Sequence, residues 1–223
     1  MNALQRAAGV AALAQAFAYL AGFAIFALLL DSSAYVGPAR KVAFMLDHRV
    51  IFQAALVITY LVTGIAMVVL TAGLHKRLRD RNAALMPVAS PLGYIWAGLI
   101  LASGMIALVG MQSVVELYGQ DRERAATVWQ TVGIVQNGLG GGIEIVGGLW
   151  VLLVSLAGRR SGLLPGWLFY LGMLVGAAGV LTVNPGIDMA VELFGVGMIL
   201  WFASVGLSLL LAKQADATAG SLA

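Results

Sequence analysis

The chain has 223 residues, of which 61% are hydrophobic and only 10% charged, with a net charge of +3 and a mean hydropathy of +0.95; ordinary soluble domains carry about 25% charged residues. So few charges cannot cover a water-soluble surface, and the complete lack of cysteine removes disulfides, thiolate metal sites, iron–sulfur clusters and cysteine nucleophiles together. The basic excess belongs to membrane-flanking loops rather than to a nucleic-acid surface, so no nucleic-acid partner is expected.

Apolar residues fall in six blocks, 8–30, 50–74, 92–118, 128–156, 164–183 and 189–211. At about 1.5 Å per residue each reaches across the roughly 30 Å hydrocarbon layer, so each is expected to be a spanning helix. The first block follows Arg6 and contains small residues; it is longer than the apolar region of a secretory signal, about 7–15 residues, and reads as a retained span. Asp31, Ser32, Ser33, Gly37 and Pro38 end it. The second block runs into the basic stretch 75–81, an anchor at the cytoplasmic face with anionic-lipid binding as the other reading. Met86, Pro87, Ser90 and Pro91 punctuate the chain before the third block, and Gln112 and Glu116 stand one turn apart near its far end.

The fourth block is the most informative. It reads QTVGIVQNGLGGGIEIVGGLWVLLVSLAG from Gln130. On a continuous helix Gln130, Asn137 and Glu144 recur every seven residues and share a stripe with Gly133, Gly141 and Gly148. Glu144 falls near the middle of this span, where a charge costs roughly 2.5–3.5 kcal/mol, while thirteen Val, Ile and Leu residues between Thr131 and Leu156 still favour insertion. The carboxyl is therefore expected to face neighbouring helices, either carrying a proton or bonded to Asn, Gln or indole donors. Two readings of the stripe stand: a helix-packing seam of glycines and cross-bonded polar groups, or a polar cavity for a proton, ion or small ligand. The polar cluster of the second reading comprises Glu144, Asn137, Gln130, Gln136, Gln112 and Glu192.

In the fifth block Gly172 and Gly176 form a GxxxG helix-contact pattern, and Asn184, Pro185 and Gly186 make a tight turn into the sixth. Glu116, Asp188 and Glu192 fall at the same end and form a candidate outer acidic rim. Trp96, Trp150, Trp167 and Trp201, with Tyr94 and Tyr170, fall near span ends, where amphipathic rings settle. Orientation follows from the basic residues. Arg6, Lys76, Arg77, Arg79, Arg81, Arg159, Arg160 and Lys213 lie on one side, against Arg40, Lys41, Arg49, Arg122 and Arg124 on the other, eight against five. Both termini are then expected in the cytoplasm, and the fold is expected to be an all-α polytopic membrane bundle of six transmembrane helices in one domain.

Absences narrow the chemistry. The two histidines, His48 and His75, sit at opposite ends of one span and cannot jointly hold haem or zinc. No lysine lies mid-membrane for a Schiff base, and there is no HExxH, no intramembrane Ser–His pair and no phosphate loop. No catalytic residue, metal or cofactor is expected. The partners are the bilayer itself and either a second copy or another membrane protein.

The stretches LMPVASPLGYIWAGLILASGMIALVG, GLGGGIEIVGGLWVLLVSLAGRRSGLLPGWLFYLGMLVGAAGVLT and FGVGMILWFASVGLSLL resemble the bacterial multi-pass family known as domain of unknown function 4386, over residues 85–210. The most specific part is EIVGGLWVLLVS followed by the basic turn and LPGWLFYLG. The family pattern often has Asn before the glutamate, where this chain has Ile143, which removes one polar partner of Glu144. The resemblance implies a helical bundle of the bacterial cytoplasmic membrane and carries no activity with it. The expected function is that of a non-enzymatic sensor, accessory subunit or scaffold. The alternatives are a small transporter or ion or proton pathway using Glu144, and an enzyme on a lipid or quinone with Glu144 as acid or base.

Overall fold

A computed structural model describes residues 3–30, 34–184 and 186–211, and among these every regular element is helical. α1 (Ala3–Ala24) runs into a π-helical turn, Ile25–Leu29. A short α2 (Pro38–Asp47) follows, then α3 (Arg49–Leu56), a π-helical turn (Val57–Val62) and α4 (Thr63–Leu78), which together make one rod. α5 (Met86–Tyr118) and α6 (Arg122–Gln136) come next, then α7 (Ile145–Arg160), α8 (Gly166–Leu181) and α9 (Asp188–Leu211).

Five helical stretches are long and apolar enough to cross a membrane: Ala3–Leu29, Arg49–Arg81, Met86–Tyr118, Arg122–Arg160 and Asp188–Leu211. The sixth apolar helix, α8, has 16 residues and spans about 24 Å. Large apolar side chains such as Phe17, Leu28, Val109, Ile134 and Leu200 point outward and are more than half exposed. Apolar surface on this scale, spread around the bundle, requires lipid rather than water as its solvent.

The packing order closes into a ring. α1 lies against α4 and α9, α4 against α5, α5 against α7, α7 against α8, and α8 against α9. Chain order is thus preserved around the circle, as short connections favour. The axis is filled by aromatic rings: Trp96, Trp150, Trp201, Phe194 and Phe202 are each at most 2% exposed. Three tryptophans placed by sequence at the membrane interfaces are therefore core residues. The reason is geometric, because a ring of six helices leaves a central space that small residues cannot fill. Trp167, Tyr170 and Tyr94 do lie exposed on the outside.

Two further boundaries depart from expectation. Met86, Pro87, Ser90 and Pro91 lie inside α5 rather than before it. The first N–H groups of a helix have no intrahelical acceptor, so Pro87 forfeits nothing there. The first connection is not plain loop, since it holds α2, whose Val42 and Met45 form a second core with Met111, Val114, Ala125 and Ala126. That layer seats α6 over the projecting end of α5.

The opposite end carries the basic second and fourth connections. Asn82 is buried there and its Nδ2 donates to Leu78 O and Ala157 O, both at 3.1 Å. Arg81 Nη1 donates to Ser161 O at 2.9 Å, and His75 Nδ1 lies 2.7 Å from Ser90 Oγ. These bonds hold the second and fourth connections at one end of the bundle.

Candidate ligand chamber at Glu144

The fourth block is two helices, not one. After α6 the chain makes a π-helical turn at Asn137–Gly141, where Gly140 takes φ +136°, a conformation open to glycine alone. Four glycines at 138, 140, 141 and 142 each weaken a helix by about 1 kcal/mol relative to Ala, and here the helix gives way. Asn137 O accepts from Gly142 N at 3.1 Å and Ile143 N at 3.2 Å, closing the break. Glu144 N donates to Thr182 Oγ1 at 2.7 Å, and that hydroxyl donates to Gly179 O at 2.7 Å. Gly148 N to Glu144 O, 2.7 Å, opens α7.

Glu144 thus occupies the residue before a buried helix start, and it is half-buried. Its Oε2 accepts from Trp96 Nε1 of α5 at 3.1 Å. Fifteen helical rises separate it from Arg159, about 22 Å, so it lies beyond mid-depth, toward the end opposite the basic residues.

Beside it is a chamber of about 330 Å³. α1 and its terminal turn supply Tyr19, Gly22, Phe23 and Phe26; the second rod supplies Thr59, Tyr60 and Thr63; α5 gives Ile100, the break gives Gly140 and Glu144, and α9 gives Val191, Phe194 and Gly195. Phe23, Phe26 and Val191 are exposed and mark the mouth, between α1 and α9. Toward the basic end the chamber is blind. Trp96 packs on Trp150 at 5.8 Å between ring centroids and on Phe194 at 6.1 Å, and Trp150 packs on Trp201 at 5.4 Å.

The chamber holds a carboxyl group but no basic side chain. Among the described residues the single ion pair is Arg79–Asp80, 3.4 Å, at the basic end. Thr59 Oγ1 is buried against Gly22 with no protein partner. No group of three or more His, Asp or Glu side chains gathers to hold a metal ion among the described residues.

The stripe foreseen on a continuous helix is dissolved by the break. Gln136, at the end of α6, faces the Tyr60 hydroxyl and accepts at its backbone oxygen from Ser103 Oγ at 3.5 Å, which puts it at the chamber's edge. Asn137 works through its backbone, and its side chain is exposed. Gln130 is exposed on α6. Gln112 Nε2 donates to Glu116 Oε1 at 3.0 Å on the surface of α5, away from the chamber lining. Glu192 and Asp188 are exposed at the start of α9, and Asp188, Val191 and Gly195 recur on one face of that helix, so Asp188 stands above the mouth. Sequence reasoning missed Trp96, Thr182, Tyr19, Thr59 and Tyr60. Only the requirement for an indole or amide donor to Glu144 pointed to any of them.

No family model, no curated protein and no solved structure matches this chain.

Proposed function

We propose that the chain is a six-span protein of the bacterial cytoplasmic membrane, termini in the cytoplasm, acting as a non-enzymatic sensor or accessory subunit whose receptor site is the Glu144 chamber. The observation that carries this reading is the blind chamber itself. A volume near 330 Å³ falls within the range of about 300–1,000 Å³ typical of small-molecule sites, and its wall is apolar with a few convergent polar groups. A filled packing seam would leave no such space. A permanent pathway would need a continuous route, and the interlocked tryptophans block one.

The location and orientation rest on the distribution of basic residues and on the resemblance of residues 85–210 to bacterial multi-pass proteins. The partner expected for an accessory role is a second copy or another membrane protein.

Gly195→Phe tests the reading, because Gly195 lines the chamber and a Cβ there meets only the rim side chain of Phe23, 3.0 Å from its Cζ. Native mass spectrometry from source membranes should find a small-molecule adduct on the wild type that the variant loses. Proton or cation flux into proteoliposomes that Glu144→Gln abolishes would replace this reading with the transport one.

A further inference from the structure

Resting on that reading, we propose that the chamber's ligand is an organic cation, a protonated or quaternary amine with an apolar body. Three independent features meet at one place. Glu144 lines a space that contains no basic side chain, so an ionised carboxylate there lacks a counter-charge from the protein. Aromatic rings make up much of the remaining wall: Tyr19, Phe23, Phe26, Tyr60 and Phe194 all border the same space. Ring faces carry negative electrostatic potential and attract cations within about 6 Å of their centroids, most strongly where water is excluded. Finally, Asp188 heads the α9 face that leads to the mouth, with Glu192 one turn further along, and both are exposed. Negative charge at the mouth raises the local concentration of cations and repels anions.

The same features exclude other ligands. A metal ion demands several oxygen ligands at about 2.0–2.6 Å, usually more than one of them charged or carbonyl, and the chamber offers a single carboxyl beside the neutral hydroxyls of threonine and tyrosine. An anion meets Glu144 with no lysine, arginine or histidine beside it. A neutral apolar molecule fills the volume and leaves the carboxylate oxygen opposite Trp96 without a donor.

The test uses the full chain in nanodiscs with two probes of nearly equal shape, benzyltrimethylammonium and neopentylbenzene, followed by calorimetry and tryptophan fluorescence, since Trp96 touches the site. The wild type should bind the cation at least about tenfold more tightly than its neutral isostere. Glu144→Gln should erase that preference while leaving neopentylbenzene affinity within about twofold. Phe23→Leu alters only an exposed rim ring, so it folds independently of Glu144. It should weaken cation binding by about three- to tenfold and leave the neutral probe unaffected. Equal binding of both probes by the wild type, or a preference that survives Glu144→Gln, overturns the assignment of a cation but leaves the chamber a binding site. Binding of neither probe overturns the chamber reading together with it.

Discussion

Gly148→Ala is the sharpest structural test of how the site is held. Gly148 lies one turn into α7 and faces the backbone of α8. An added Cβ would stand 2.6 Å from Gly176 O and 2.6 Å from Val180 N. Both are backbone atoms that cannot rotate away, and the approach is about 0.8 Å short of ordinary contact, so the two helices must part. Overpacking of this kind costs about 1–3 kcal/mol, and the better helix propensity of Ala returns about 0.5–1 kcal/mol. The net expectation is a loss centred near about 1 kcal/mol and reaching about 2.5 kcal/mol, or a fall of up to roughly 10 °C in melting temperature for a chain of this size. The control is Gly98→Ala on α5, where nothing lies within 4 Å and only the propensity gain remains. Thermal melts of both variants in the same detergent measure the difference directly. If Gly148→Ala melts at or above the wild type, or the two variants shift together, the α7–α8 contact is not the close backbone seam described and its role in placing Glu144 fails with it.

Two other substitutions probe the polar atoms around the break and in the core. Thr182→Val keeps shape but removes the acceptor of the Glu144 N–H and the bond to Gly179 O; a loss of about 1–3 kcal/mol is expected, with faster amide exchange in a peptide covering 137–145, and unchanged exchange would contradict the assigned bond. Gln15 is fully buried on α1 and neither of its amide atoms has a partner; Gln15→Met, of similar length, should therefore raise the melting temperature, and a decrease would mean that the amide is satisfied in the membrane.

The helical class follows from block length, and helix covers each of the six apolar blocks, five of the helical stretches being long enough to cross a bilayer. The basic residues of the second and fourth connections also share one end, as their spacing required. What sequence could not supply was the state of the fourth block. A heptad relation between Gln130, Asn137 and Glu144 assumes unbroken helix, yet 137–142 contains four glycines, and that same run is the signal for a break. Propensity and burial point in opposite directions at this position. Burial in lipid favours helix, and the glycines win only because Thr182 and Asn137 satisfy the backbone groups that the break frees. Trp96, Trp150 and Trp201 illustrate a second limit. Distance from a span end says nothing about which side of a helix a ring occupies, and here all three turn inward. α2 was hidden because its apolar run is far shorter than a span and packs against helices distant in sequence.

The break explains why the chamber lies where it does. Interrupting a helix within the bilayer exposes backbone donors and acceptors that lipid cannot satisfy, so such interruptions persist only where protein or a cavity receives them. At this one, Asn137 O takes two N–H groups and Thr182 takes a third. Helix starts carry partial positive charge, which favours an acidic group beside them, and Glu144 is the residue that precedes the first turn of α7. A continuous helix through 128–156 would carry the same carboxyl on its side wall with no such support. The glycine run, Thr182 and Glu144 are in this sense one device: the first opens the backbone, the second closes its bonds, and the third presents a carboxyl group to a space that holds no basic side chain.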